Sequence, residues 1–248
     1  MPPDRPPATT VPDTSIVGLI AGATLDADLA ALLWVLVEGD VPLVVATPPG
    51  REAAGVELAR AVLRSVRADA TAAGLDGPLD RQAAWDAVHG HRPALVIAAG
   101  SLEDVRTQLT ARPGLLSEQE LSFLGCVLVL QAPDGRSGGR LRVTAAHYVR
   151  PLARDAHGHA QLLPPAVIST WDPRLGRYEH FEWGVLPEIA ARLGRRTGDL
   201  EADLHHRRDD LAGLVTAKLT SLDEVRRLIA GYRMAYGSHA DSGHGPAH

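Results

Sequence analysis

A turn with two glycines separates an apolar run from an amphipathic segment at residues 44–60, VVATPPGREAAGVELAR. The interval from Gly50 to Gly55 fits G-x-x-x-x-G, the spacing of loops that bind phosphate through backbone N–H groups. In such loops the second glycine is followed by a Lys for the phosphates and a Ser or Thr for Mg²⁺. Val56 and Glu57 occupy those two positions here. The stretch is therefore a nucleotide site, the remnant of one, or a plain strand-to-helix turn.

The charges near this turn argue against phosphate chemistry. Valine carries no charge, and a carboxylate at Glu57 would repel a polyphosphate unless a metal intervened. The chain contains one lysine, Lys218, far along the sequence. Arg51 is the cation inside the loop, and its planar guanidinium differs from the ammonium group that it would replace. We expect no catalytic residue here, and a vestigial phosphate loop.

Eleven histidines raise the question of a metal site. The stretch RDAHGH offers Asp155, His157 and His159, with His147 one predicted strand away. Zinc needs three or four converging ligands. A hairpin turn is polar in any case, so we expect a solvated turn and no metal site. The other histidine pairs are expected at the surface, namely those of HGH at 89–91 and the pair His205 and His206.

Residues 177–184, RYEHFEWG, combine aromatic side chains with acids and a histidine. On a strand Tyr178, His180 and Glu182 would face one way. One interpretation is an acid/base pair of His180 with a carboxylate. The favoured interpretation is a half-buried hairpin strand that packs against Trp171, and a partner surface is the third. A serine hydrolase is not indicated, because the chain has no G-x-S-x-G motif.

The elements that would position these residues alternate in type up to residue 140. Three continuous apolar runs, at 41–47, 93–100 and 126–131, are typical of buried parallel strands. Helical periodicity separates them, with Thr24 as a predicted N-cap and Ser101 with Asp104 as a predicted capping box. From Arg140 onward, strand-like segments divided by turns predict an antiparallel meander, and amphipathic helices end the chain.

These patterns predict an α/β fold with a mostly parallel three-layer sheet, an antiparallel β meander and C-terminal helices. The expected divisions are a disordered leader at 1–14, an α/β core at 15–140, an antiparallel extension of the same domain at 141–186, helices at 187–236 and a disordered tail at 237–248.

Composition excludes several functional classes. The net charge of −5 gives no electrostatic basis for nucleic-acid binding. Cys126 is the single cysteine, so a disulfide framework is excluded. The longest apolar run, residues 29–37, is too short to cross a bilayer, and we expect a cytoplasmic protein without direct membrane insertion.

Several stretches together resemble the secretion and type IV pilus ATPases, hexameric P-loop motors. The segment LAALLWVLVEGDVPLVVATPPGREAAGVELARAVL resembles that family's helix, strand, phosphate loop and following helix. VIAAGSLEDVRTQLT is similar to the strand and helix around its histidine. LSEQELSFLGCVLVLQAPDGRSGGRLRVTAAHYVRPL resembles its closing strands, and PPAVISTWDP a strand ending on an aromatic residue and Asp. The resemblance runs in order over about residues 25–175 and implies a P-loop NTPase (RecA-like) fold.

The chain departs from that family at each catalytic position. Val56 and Glu57 replace the Walker A pair, and Ala98 and Ala99 stand where the resemblance places the histidine. Residues 67–93 contain no apolar strand that ends in a Walker B acid. We therefore expect a degenerate member without a bound cofactor, acting as a structural or regulatory partner in a homo-oligomer or beside an active ATPase homologue. The alternative is a divergent protein that binds or hydrolyses ATP with Mg²⁺ through Arg51.

Overall fold

A computed structural model describes residues 14–67, 75, 79–112, 115–133, 139–154, 157 and 159–236. The predicted leader and tail lie outside these residues, except for Thr14. That residue forms an isolated antiparallel bridge with Ser221.

Nine helices and eight strands make up the described part of the chain. The helices are α1 (Ile16–Ala21), α2 (Ala27–Glu38), α3 (Glu52–Val66), α4 (Arg81–Val88), α5 (Leu102–Thr110), α6 (Glu118–Leu121), α7 (Leu186–Arg192), α8 (Thr197–Thr216) and α9 (Leu222–Tyr236). The strands are β1 (Leu43–Thr47), β2 (Ala94–Ala98), β3 (Cys126–Gln131), β4 (Arg142–Tyr148), β5 (Ala153–Arg154), β6 (Ala160–Gln161), β7 (Ala166–Asp172) and β8 (Arg177–His180).

Six strands form one open sheet in the order β2-β1-β3-β4-β7-β8. The first three are parallel, with Val45 of β1 opposite Val96 on one side and Leu128 on the other. The pairs β3–β4, β4–β7 and β7–β8 are antiparallel. Strands β5 and β6 form a separate two-stranded antiparallel sheet. The predicted α/β class and antiparallel extension are confirmed. The sheet is mixed, because parallel pairing is confined to β2, β1 and β3.

Helices cover the sheet on two faces, as the predicted three layers require. Alternate residues of β1 point to opposite faces: Leu43 and Val45 join the core beneath α1–α3 and α7–α9, whereas Val44 and Ala46 join the core beneath α4–α6. The continuous apolar run of β1 thus follows from burial on both faces.

Helix α2 begins two residues later than the sequence predicted. Asp26 is its N-cap, with the side chain accepting a 3.0 Å hydrogen bond from the Leu29 N–H, and Thr24 is not the cap. The Asp side chain carries a charge that the positive helix end favours. The predicted helix end at Gly39 is confirmed.

The C-terminal helices bury apolar residues against the rest of the fold. Helix α8 packs on α2, and α9 packs on α3. Arg207 of α8 lies with its guanidinium carbon 4.4 Å from the Trp34 ring centre and donates to Asp203 and Glu38. No helix among the described residues combines the length and hydropathy needed to span a bilayer.

Candidate functional site

The candidate site lies at the carboxyl ends of the three parallel strands. Strand β1 is central, and the chain connects it to β2 on one side before crossing to β3 on the other. In open α/β sheets, ligands bind where consecutive connections leave the sheet in opposite directions. The turn after β1 is at this point, so the fold places the sequence-predicted phosphate loop where a ligand would bind.

Only four residues connect β1 to α3. The strand ends at Thr47 and the helix starts at Glu52. Gly50 adopts φ +79°, a left-handed conformation that favours glycine. The G-x-x-x-x-G spacing assigns the residues between the glycines to a loop. Here most of them form the first turn of α3, and Gly55 lies within the helix.

Backbone N–H groups of this turn are engaged within the protein. The Gly50 N–H donates to the Glu52 carboxylate at 2.9 Å. Arg51 N–H donates to the Pro48 carbonyl and Ala54 N–H to the Arg51 carbonyl, each at 3.0 Å. Hydrogen bonds from the backbone of Gly50 and of Glu52 itself hold the pKa of the Glu52 carboxyl below its usual range. An internal carboxylate thus takes the donor that a bound phosphate would use.

Gly55 is required by packing of α3 on the sheet. A Cβ at this position would lie 2.4 Å from Thr47 Cγ2 and 2.8 Å from Val96 Cγ1. A glycine that permits close helix–strand approach also occurs in dinucleotide-binding turns. The close approach of α3 to the sheet therefore accounts for Gly55 without reference to a ligand.

The remaining residues of the predicted phosphate loop do not share one environment. Val56 is buried in the core beneath α1–α3, with 6% of its surface exposed. Glu57 accepts a 2.9 Å hydrogen bond from the Thr14 hydroxyl. Arg51 donates to the carbonyl of Gly139 at 3.4 Å, beyond the end of β3. Gly50 and Arg51 thus lie at the strand ends, while Val56 and Glu57 face the interior and the Thr14 region.

The turn after β2 is closed by side-chain hydrogen bonds. Ser101 caps α5 by accepting from the Asp104 N–H at 3.1 Å, as predicted. The Asp104 carboxylate accepts from the Gly100 N–H at 3.1 Å, which replaces the predicted return bond to Ser101. Gln131 at the end of β3 donates to the Gly100 carbonyl at 2.5 Å. These bonds tie the β2 and β3 ends together.

Comparison with known proteins does not assign a function to this site. No family model and no curated protein matches the chain. The interpretation of the site therefore depends on the contacts of its own residues.

The predicted histidine turn is described in part. Asp155 lies outside the described residues, while His157 and His159 are exposed with ring centres 6.2 Å apart. His147 lies half-buried on β4, where burial lowers its pKa. Elsewhere, His89 stacks on Trp85 with ring centres 3.7 Å apart.

The aromatic segment at the sheet edge packs as predicted, with one difference. Trp171 and Tyr178 are opposite each other in the β7–β8 register, and their rings meet edge to face at 5.0 Å. The strand stops at His180, and Glu182 starts a short 3₁₀ turn. Glu182 is therefore not a strand residue, and its predicted alignment with Tyr178 and His180 does not form.

His180 pairs with a carboxylate that the sequence did not suggest. Its Nε2 lies 2.8 Å from Oδ2 of Asp26, the N-cap of α2, 154 positions away in the chain. Burial alone would lower the pKa of His180, but the Asp26 hydrogen bond and charge outweigh it and raise that pKa. Asp28 completes a group of three side chains of the kind that can bind a metal ion, with ligand atoms within 4.8 Å of one another.

Proposed function

We propose that this chain is a degenerate P-loop NTPase domain of the secretion-ATPase type, and that it acts as a non-catalytic structural or regulatory partner in the cytoplasm. The observation that carries the proposal is the hydrogen bond from the Gly50 N–H to the Glu52 carboxylate. A negative charge fixed at this point repels the phosphate that an active loop would bind.

The turn after β1 supports the proposal because it has the two glycines of a phosphate loop but not the cation. The left-handed Gly50 and the tightly packed Gly55 retain a strand–turn–helix frame at the topological switch point. Buried Val56 supplies no cation. A fold is maintained by core packing, which is independent of the residues that handle phosphate. A protein that keeps the frame without the cation fits a binding or scaffolding role better than nucleotide hydrolysis.

We assign the partner contact to the β8 edge of the sheet, where β8 is the outermost strand among the described residues. Many apolar residues of α8 and α9 are used in internal packing, for example Leu211 and Ile229. At the β8 edge, Phe181 and Trp183 are exposed at 39% and 76% of their surface. Exposed aromatic side chains beside the outer strand of a sheet suit pairing with a second copy or with an active ATPase homologue.

Nucleotide binding is tested by thermal denaturation of the full chain with millimolar Mg-ATP or Mg-ADP. We expect no change in Tm for the wild type or for Gly50→Glu. A rise of several degrees in the wild type that Gly50→Glu removes would contradict the proposal and support the divergent ATP-binding protein. In that case Arg51→Ala should also remove the rise, because Arg51 is the cation of the turn.

The partner role is tested by sedimentation of the full chain, alone and with an active secretion-type ATPase from the same organism. We expect a complex that Trp183→Ala weakens. Trp85→Ala, on the opposite helical layer and 37% exposed, is the matched control and should leave it intact. Absence of both self-association and complex formation at micromolar concentrations would contradict the partner role.

A further inference from the structure

Three metal-ligating side chains meet where β8 ends against the start of α2. Asp26 and Asp28 come from the first turn of α2, and His180 is the last residue of β8. Their ligand atoms lie within 4.8 Å of one another. The ligands of one tetrahedral Zn²⁺ lie about 2.0–2.2 Å from the ion and hence about 3.4 Å apart. Small side-chain rotations would bring these atoms to that spacing.

The backbone holds these ligands in position before any ion binds. Asp26 uses Oδ1 to accept from the Leu29 N–H, which leaves Oδ2 directed at His180. His180 is paired with Ser169 in the β7–β8 register. Tyr178 donates from its hydroxyl to the Thr24 carbonyl at 2.8 Å, two residues before Asp26. Ligands fixed by such outer contacts bind metal with less loss of conformational entropy.

A neighbouring carboxylate adds negative charge beside this group. Glu182 Oε2 is buried and has no hydrogen-bond partner among the described residues. Glu182 and Asp28 line the same cavity of about 80 Å³. A buried carboxylate oxygen without a partner is costly unless a cation or water satisfies it. Arg208, 3.6 Å from Asp28, offsets one of the three negative charges gathered around His180.

We propose that Asp26, Asp28 and His180 bind a divalent transition-metal ion. An imidazole combined with carboxylates suits Zn²⁺ and its first-row neighbours, whereas Mg²⁺ and Ca²⁺ prefer oxygen ligands throughout. The ion would link the antiparallel extension to the helical layer. This site is separate from the turn after β1, so metal binding does not depend on the nucleotide part of the proposed function.

The test is calorimetric titration of the metal-free full chain with Zn²⁺, together with thermal denaturation. Asp28→Asn is the decisive variant, because it removes one ligand and leaves the hydrogen bond between His180 and Asp26 in place. We expect the wild type to bind one more Zn²⁺ per chain than this variant, or to bind it at least about tenfold more tightly. We also expect Zn²⁺ to raise the Tm of the wild type by several degrees, and Mg²⁺ to have no such effect.

His180→Asn should abolish the same binding event. His89→Asn is the matched control, because this histidine stacks on Trp85 in the other helical layer and its loss leaves the site intact. Circular dichroism without metal checks that each variant is folded. Identical Zn²⁺ isotherms for the wild type and Asp28→Asn would overturn the proposal. So would an equal loss of affinity in His89→Asn, which would indicate unspecific binding to surface histidines.

Discussion

Gly55 lies so close to Thr47 that a Cβ on the glycine would be 2.4 Å from the threonine methyl group. This contact sets the distance between α3 and the centre of the sheet, at the point where β1 delivers the candidate turn. The same added atom would be 2.8 Å from Val96 on the neighbouring strand. The second glycine of the G-x-x-x-x-G spacing thus has a packing role that does not depend on a ligand.

Gly55→Ala should therefore destabilise the protein by about 2 kcal/mol, because overpacking outweighs the higher helix propensity of alanine. Gly213→Ala in α8 is the matched control. A Cβ there meets nothing within 4 Å, so this change should stabilise by about 0.5–1 kcal/mol. Urea denaturation measures both free energies of unfolding. A stabilising Gly55→Ala would show that α3 can move away from the sheet at little cost.

Glu52→Gln should lower Tm at neutral pH, because the carboxylate accepts the Gly50 N–H more strongly than a neutral amide does. The pKa of Glu52 is below its ordinary value in the folded state. Its stabilising effect is complete above the ordinary glutamate pKa and is lost as pH falls through the lowered folded pKa. The difference in Tm from the wild type should shrink accordingly in acid. A difference that stays constant from pH 7 to pH 3 would contradict the charge-based explanation.

Asp203→Asn should lower the free energy of unfolding by about 2 kcal/mol, because it removes one of the two carboxylates that pair with the buried Arg207. Burial would raise the pKa of Asp203, but hydrogen bonds from Arg207 and Tyr232 outweigh it and lower that pKa. The loss should therefore be full above the ordinary aspartate pKa and fall as pH drops through the lowered folded value.

Asp209→Asn on the same helix is the control for Asp203→Asn. Its pair with Arg208 is largely exposed, and its removal should change stability by less than about 1 kcal/mol. Denaturant unfolding from pH 7 to pH 3 gives both values. Equal effects of the two substitutions would mean that burial adds nothing to the Asp203 interaction.

Cys126 should not react with a thiol reagent such as Ellman's reagent in the native protein at pH 8. It lies buried at the start of β3, and burial raises the pKa of its thiol to about 12. The thiolate is the reactive form, so both access and ionisation oppose the reaction. One thiol per chain should react in guanidinium chloride. Prompt labelling of native protein would show that the β3 region opens readily.

Local patterns were sufficient for most of the elements. The apolar run CVLVLQ forms strand β3 over the predicted residues, and Gly39 ends α2 as predicted. Such features depend on neighbours within a few positions, which a sequence displays directly. The predicted N-cap at Thr24 was wrong, because several polar residues lie close together there and the Asp26 side chain is the one that accepts from the Leu29 N–H.

The sequence by itself determined the composition of the candidate turn: two glycines at phosphate-loop spacing, and Val56 and Glu57 where Lys and Ser or Thr would be needed. The tertiary structure alone decided that α3 begins at Glu52 and that its carboxylate bonds Gly50. It also decided that His180 meets Asp26. The physical reason is that contacts between residues 154 positions apart arise only when strand order and helix packing bring them together.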